Sequence, residues 1–287
     1  MRHCERSESI SERRLLRPFG PRNENRIIIT SVHILVFSAM LFATPAFAED
    51  WAELKGDHFI IYYQADNRFA SEVLRKSESY YRNIGKDLSF TRYSNFWQWE
   101  NRVKIYIFPN KEQYQGATNE PAWSEGVASY TKKEIRSYAW SKGFLDALLP
   151  HEITHLVFRD FVGFKGEVPL WLDEGVAQWE EPAKRAVVRK TMKAQLTAGK
   201  FFPVTQMTTV NLEQMKGDEV VAFYVQAASF VDFLITEYGS EGFIVFCRQL
   251  RDGKSLDDAL RFAYPTSIRN QKDLEEKWNN YILSTPS

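Results

Sequence analysis

Apolar and polar positions recur along this chain in two regimes, and the change between them sets the fold class. The first third is strand-like: residues 58–63 are rich in β-branched and aromatic side chains, and 103–108 alternate before stopping at Pro109. Between them Phe69, Val73, Tyr80, Tyr81 and Ile84 fall at helical spacing, which predicts an amphipathic helix over 67–87. A short helix over 111–115 follows. Residues 126–130 and 135–140, parted by polar 131–134, then predict a hairpin or two neighbouring strands.

From residue 145 onward the spacing is helical. Residues 145–162 predict a helix with Asp146 as its cap and Pro150 in its first turn. Residues 171–181 form the next, closed by Pro182, and 184–197 a basic one ending near Gly199. A looser stretch, 200–218, leads to strongly apolar 220–238, which Gly239 terminates. Helices near 242–250, 256–262 and 272–283 finish the chain. Strands followed by helices give an α+β fold, a small mixed sheet packed on helices with a helical C-terminal part. No internal repeat or Ser/Gly/Pro-rich linker divides residues 49–287, so they are expected to form one compact domain.

Composition is that of an ordinary globular chain: 287 residues, 44% hydrophobic and 26% charged. Net charge is zero, but residues 1–48 hold seven Arg against four Glu, leaving 30 basic and 33 acidic residues in the remainder. A body without basic excess excludes nucleic-acid binding as the leading function. The arginines precede an apolar run over 27–43, and Ala46-Phe47-Ala48 ahead of Glu49 has the small-x-small form that signal peptidase cuts. Residues 1–48 are therefore expected to be a leader on an over-long N-terminus, with export to the periplasm or extracellular space and no stable membrane insertion after cleavage. The alternative is a membrane-tethered form, since the apolar run is long enough to span a bilayer if uncut. Cys4 lies in the leader and Cys247 stands alone in an apolar stretch, so the body has no internal disulfide and Cys247 is expected to be buried.

The chemistry concentrates in His151-Glu152-Ile153-Thr154-His155 and, after eighteen further residues, in Glu174 of Trp171-Leu172-Asp173-Glu174-Gly175. Two histidines four apart on a helix share one face, so both imidazoles can reach a single ion. Two His and one carboxylate make a zinc set that leaves a fourth position for water. The flanks Leu148-Leu149 and Leu156-Val157-Phe158 are apolar, and a carboxylate buried with two imidazoles is costly without an ion or partners. The competing reading makes both histidines satisfied core residues and leaves Glu152 solvated.

These residues resemble those of the gluzincin metallopeptidases, thermolysin-like and alanyl-aminopeptidase-like enzymes, whose third ligand lies in a Trp-Leu-x-Glu-Gly sequence. The nearest resemblance is to bacterial peptidase MA-like proteins, carried also by His58-Phe59-Ile60-Ile61-Tyr62 and by Tyr224-Val225-Gln226-Ala227-Ala228-Ser229-Phe230-Val231, and it covers most of residues 55–285. It implies a zincin-like catalytic core in which His151, His155 and Glu174 hold one Zn2+ per chain and Glu152 is the general base. Tyr224 matches the family's donor to the reacting carbonyl oxygen. Its competing reading is a core aromatic, and Tyr238 and Tyr264 are further downstream tyrosines. Thermolysin-type enzymes carry an Asp four residues after the glutamate ligand, where this chain has Gln178; Asp160 and Asp173 are the candidate substitutes for orienting the imidazoles.

The resemblance further implies a peptide or protein substrate pairing with an edge strand beside the zinc helix, and residues 135–140 are the candidate from chain order. Trp97, Trp99, Trp123, Trp140, Trp171 and Trp179 read mainly as core, with subsite lining as the rival. The basic run through Lys184, Arg185 and Lys193 reads as a solvated helix face. The expected function is that of an exported zinc metallopeptidase. Its rival is a non-catalytic zinc-binding or assembly protein that keeps the fold.

Overall fold

The computed structural model describes residues 51–64, 66–89, 101–120, 122, 124–164 and 168–286. The expected leader, Trp97, Trp99 and Trp123 lie outside them. The predicted strands are β2 (Phe59–Tyr63), β3 (Val103–Phe108), β4 (Gly126–Ser129) and β5 (Glu134–Tyr138). Sequence pattern missed β1 (Ala52–Lys55), which exposes three of its four residues and so lacks the alternation of a half-buried strand. The sheet runs β1-β2-β3-β5-β4, with β2, β3 and β5 parallel and β1 and β4 antiparallel to their neighbours.

This order corrects the expectation for residues 135–140. β5 is paired on both sides, to β3 and to β4, so it is no edge strand. The chain leaves β3 through α2 (Lys111–Thr118), crosses over to β4 and returns by a hairpin into the slot beside β3. Among the described strands, β4 ends the sheet on that side.

One sheet face carries Phe59, Ile61, Val103, Ile105, Ile107, Ala128 and Ile135, all buried in one cluster with Phe69, Val73 and Ile84 of α1 (Asn67–Asp87). Asp66 starts α1 by accepting from the Phe69 amide at 2.9 Å. The other face bears an aromatic ladder in which Tyr62 stacks on Tyr106 at 4.9 Å, with Trp51 edge-on at 5.4 Å and the Arg136 guanidinium 5.6 Å above Tyr106.

The helix predicted over 145–162 begins differently. Phe144–Leu148 is a π-helical turn, its wider ring closed by the Leu149 amide on the Phe144 carbonyl, and α3 runs Leu149–Val162 with Pro150 in its first turn. A proline ring clashes with the carbonyl four residues earlier and lacks an amide proton, so the turn ahead of Pro150 widens. Asp146 therefore caps nothing and pairs with Lys76 instead, 2.7 Å away. Eleven of the fourteen α3 residues are buried, because α1 packs on one side and α4 (Leu170–Trp179) on another.

Beyond α4 come the short α5 (Pro182–Arg185), α6 (Val188–Thr197), α7 (Val204–Met207) and α8 (Gly217–Arg251). α9 (Leu256–Ala263) and α10 (Gln271–Leu283) close the fold. The stop predicted at Gly239 is a break in α8's dihedrals, φ 80° and ψ 156°, which glycine adopts without steric cost. By length and apolarity α8 could cross a membrane, yet 67% of its apolar window is buried inside the fold, as befits a core helix. Cys247 on α8 is a buried free thiol. Asp232 on the same helix accepts from Trp179 Nε1 (2.9 Å), Arg189 Nε (2.6 Å) and the Tyr281 hydroxyl (2.8 Å), joining four helices. The basic run lies at the surface as expected, its side chains over a third exposed at Lys184, Arg185 and Arg189, and it is also tied down by pairing: Lys184 with Glu181, Arg185 with Asp87, Arg189 with Asp232, and Lys193 with the Thr285 carbonyl.

α4 and α8 meet at Gly175, where an added Cβ would stand 2.7 Å from the Ala227 carbonyl oxygen and 3.0 Å from Val231. Gly175→Ala gains up to about 1 kcal/mol of helix propensity. Overpacking against backbone costs roughly 1–3 kcal/mol and wins. The variant should melt a few degrees below wild type, and an unchanged or higher Tm would show that α8 can back away. At the end of α4, burial pushes the Glu180 carboxyl up to about 8, Asp87 adding to the rise and Arg185 opposing it. Its ordinary value is 4.5, so the folded state holds a proton the unfolded chain releases, and stability falls as pH climbs from there through about 8. Urea midpoints at acid and alkaline pH should decline less in Glu180→Gln than in wild type; parallel declines would mean that Glu180 ionises in the fold without penalty.

Candidate metal centre

His151 and His155 stand one turn apart on α3, 4% and 0% exposed. Their Nε2 atoms face each other at 3.0 Å with the rings crossed at 78°. The other ring nitrogens are held by carboxylates: His151 Nδ1 lies 2.9 Å from Glu181 Oε1, and His155 Nδ1 3.1 Å from Asp173 Oδ1, the latter a charge contact rather than an aligned hydrogen bond. Carboxylates at both Nδ1 positions favour the tautomer protonated there. Two unprotonated Nε2 lone pairs then point at one another, an arrangement that a shared cation relieves.

Helix α4 brings the carboxylate. Glu174 Oε2 is 3.7 Å from His151 Nε2, and one donor atom from each of His151, His155 and Glu174 lies within 4.8 Å of the others. Donors around a tetrahedral zinc at 2.0–2.2 Å would be separated by about 3.3–3.6 Å, so the observed spacing brackets that geometry. The donor set and its burial fit zinc. The three residues predicted as ligands are thus brought together, and they are the described group that could hold a metal ion.

Glu152 follows His151 and points about 100° round the helix. It is fully buried, and neither carboxyl oxygen has a hydrogen-bond partner, which refutes the reading of a solvated Glu152. Burial first, then the Glu181 and Asp173 carboxylates, push its pKa well up. Burial, then Asp173 and Glu152, do the same to Glu174. His151 is lowered to about 4 because burial and neighbouring His155 outweigh Glu181, which leaves the imidazole neutral, as a ligand must be. Burial would raise Asp173, but His155 and Arg159 overcome it and hold the acid at about 2, with Arg159 Nη2 2.7 Å from Oδ2.

Of the two acids expected to orient the imidazoles, Asp173 does so and Asp160 does not; Asp160 instead receives Lys133 Nζ at 2.6 Å, its oxygen drawn out to the hairpin. Sequence reasoning missed Glu181. It lies past the end of α4, in extended backbone, and no helical spacing from Glu174 marks it. Lys184 steadies it from 2.7 Å. Tyr224 sits on α8 three residues before Ala227, the residue abutting Gly175, and packs half-buried against the core beside Phe223. Tyr238 and Tyr264 pack on each other at 5.1 Å, with Phe233 and Phe246 around them. Trp171 and Trp179 are core residues, whereas Trp140 is 57% exposed at a left-handed φ of 60°.

A search of curated proteins finds no match to this sequence. The family model of the Peptidase MA superfamily matches residues 95–284, a span that holds both helices of the buried His-His-Glu group and the α8 helix behind them. The sequence resemblance and the α+β fold agree with that match, and the chain belongs to the Peptidase MA superfamily.

Proposed function

We propose that this protein is an exported zinc metallopeptidase that hydrolyses peptide bonds, with Glu152 as general base. The observation that carries the reading is the convergence of His151, His155 and Glu174 within 4.8 Å beside a buried Glu152 whose oxygens are unpartnered. Export is supported by the Arg-bearing, then apolar, then Ala-x-Ala order of residues 1–48.

His151, His155 and Glu174 would hold one zinc. Such an ion supplies Lewis acidity, drawing the pKa of a water in its open position down to about 7 and polarising the scissile carbonyl. Glu152 takes the proton from the attacking water and returns it to the leaving amine, a role suited to a carboxyl whose proton affinity burial has raised. Asp173 and Glu181 hold the imidazoles by their Nδ1 atoms, so that Nε2 stays available. Tyr224 is assigned to donate to the carbonyl oxygen on the strength of the family motif. The extended substrate pairs with β4, the strand that ends the sheet.

Glu152→Gln should keep one zinc per chain while turnover of a mixed peptide library falls by about 10²–10⁴. Wild-type activity in that variant would remove Glu152 as the base. His155→Ala should lose the metal, as read by elemental analysis after dialysis. One zinc per chain with no cleavage anywhere between about pH 5 and 9 would favour the non-catalytic zinc-binding protein. Glu181→Gln should weaken zinc affinity roughly 10- to 100-fold in competition with a chelator, and equal affinity would show that the Glu181 contact does not tune the site.

A further inference from the structure

Tyr130 is the first residue of the turn between β4 and β5. Its ring is clamped against α3, edge-on to His155 at 5.8 Å and under the Arg159 guanidinium at 4.2 Å. The hydroxyl is shut off from water and has no hydrogen-bond partner. A buried tyrosine hydroxyl ordinarily finds one, so an orphan beside a reaction site points to a ligand that completes it. On α3, the helix that this ring packs against, the Glu152 carboxyl has both of its buried oxygens without a partner.

The two orphans are complementary. When ionised, Glu152 only accepts, and a phenol donates. Attack of water on an amide needs an acceptor for the water's proton and a donor for the oxygen on which negative charge grows. We infer that Tyr130 is a further catalytic residue, donating its hydroxyl hydrogen bond to the substrate carbonyl oxygen as that oxygen becomes negative. Its charged surroundings agree with this placement: the groups that act on the hydroxyl are Asp173, Glu152, Arg159 and Glu174, all of the metal centre. A tyrosine hydroxyl carries a proton and so can donate. The position also suits a substrate lying along β4, since Tyr130 directly follows that strand's last residue.

This inference rests on the peptidase reading above, and its test separates the two. Tyr130→Phe removes only the orphan oxygen, so its Tm and zinc content should match wild type. Its kcat on a mixed peptide library should fall roughly 10²–10³ with KM little changed. A library of phosphinic pseudopeptides, which mimic the tetrahedral centre, should bind it weaker by a similar factor in calorimetry. Wild-type kcat together with wild-type pseudopeptide affinity would overturn the assignment while leaving the peptidase reading intact. A lowered Tm, lost zinc or failure to fold would overturn it too, by revealing a structural partner for the hydroxyl. A zinc-loaded wild type that neither cleaves the library nor binds the pseudopeptides would sink the peptidase reading and this inference together.

Discussion

Keeping ionisable groups out of water is the constraint to which everything around α3 answers. Glu152, Asp173, Glu174 and Glu181 are all buried there with two imidazoles, and Arg159 and Lys184 are the cations that reach them. Charges taken from water without compensation are expensive. The fold settles the outer pair of acids by contact with Arg159, Lys184 and the histidines, which keeps Asp173 and Glu181 in their low range. The inner pair, Glu152 and Glu174, is pushed the other way, toward holding protons. A divalent cation held at this site would offset the same buried carboxyls, and because metal ligands must be deprotonated its binding would release protons.

That cluster is positioned by packing rather than by its own attractions. α3 is covered by α1 on one side and by α4 on another. α4 is pressed in turn against α8, where the missing side chain of Gly175 permits backbone contact one residue from Glu174. Asp232 ties α8 to Trp179, Arg189 and Tyr281, so the helical C-terminal part acts as the backing of the ligand helix.

Features set by neighbours in sequence were legible before the structure. His151 and His155 share a face because of helical geometry alone, and Gly239 breaks the helical dihedrals of α8 through its own backbone freedom. Features set by the path of the chain were not. The hairpin order that puts β4 outside β5 depends on where the crossover from β3 returns, which alternation of residue types does not encode. Glu181 lies past the end of α4 and reaches His151 only because the chain keeps turning into α5. Asp160 and Asp173 looked equivalent as acids near the motif, and the angle each takes about its helix separated them. The surface position of the basic run was legible, but its partners Asp87, Asp232 and Thr285 were not, because they are remote in sequence.

The lone thiol of Cys247, sealed within α8's packing, bears on how this molecule meets a change of surroundings. Burial also pushes its pKa well up, which withholds the reactive thiolate. The described fold therefore owes no cross-link to an oxidising compartment and has no accessible thiol for one to attack. The covalent architecture of the described residues would be the same in a reducing or an oxidising compartment, and their folding requires no partner to shuffle bonds.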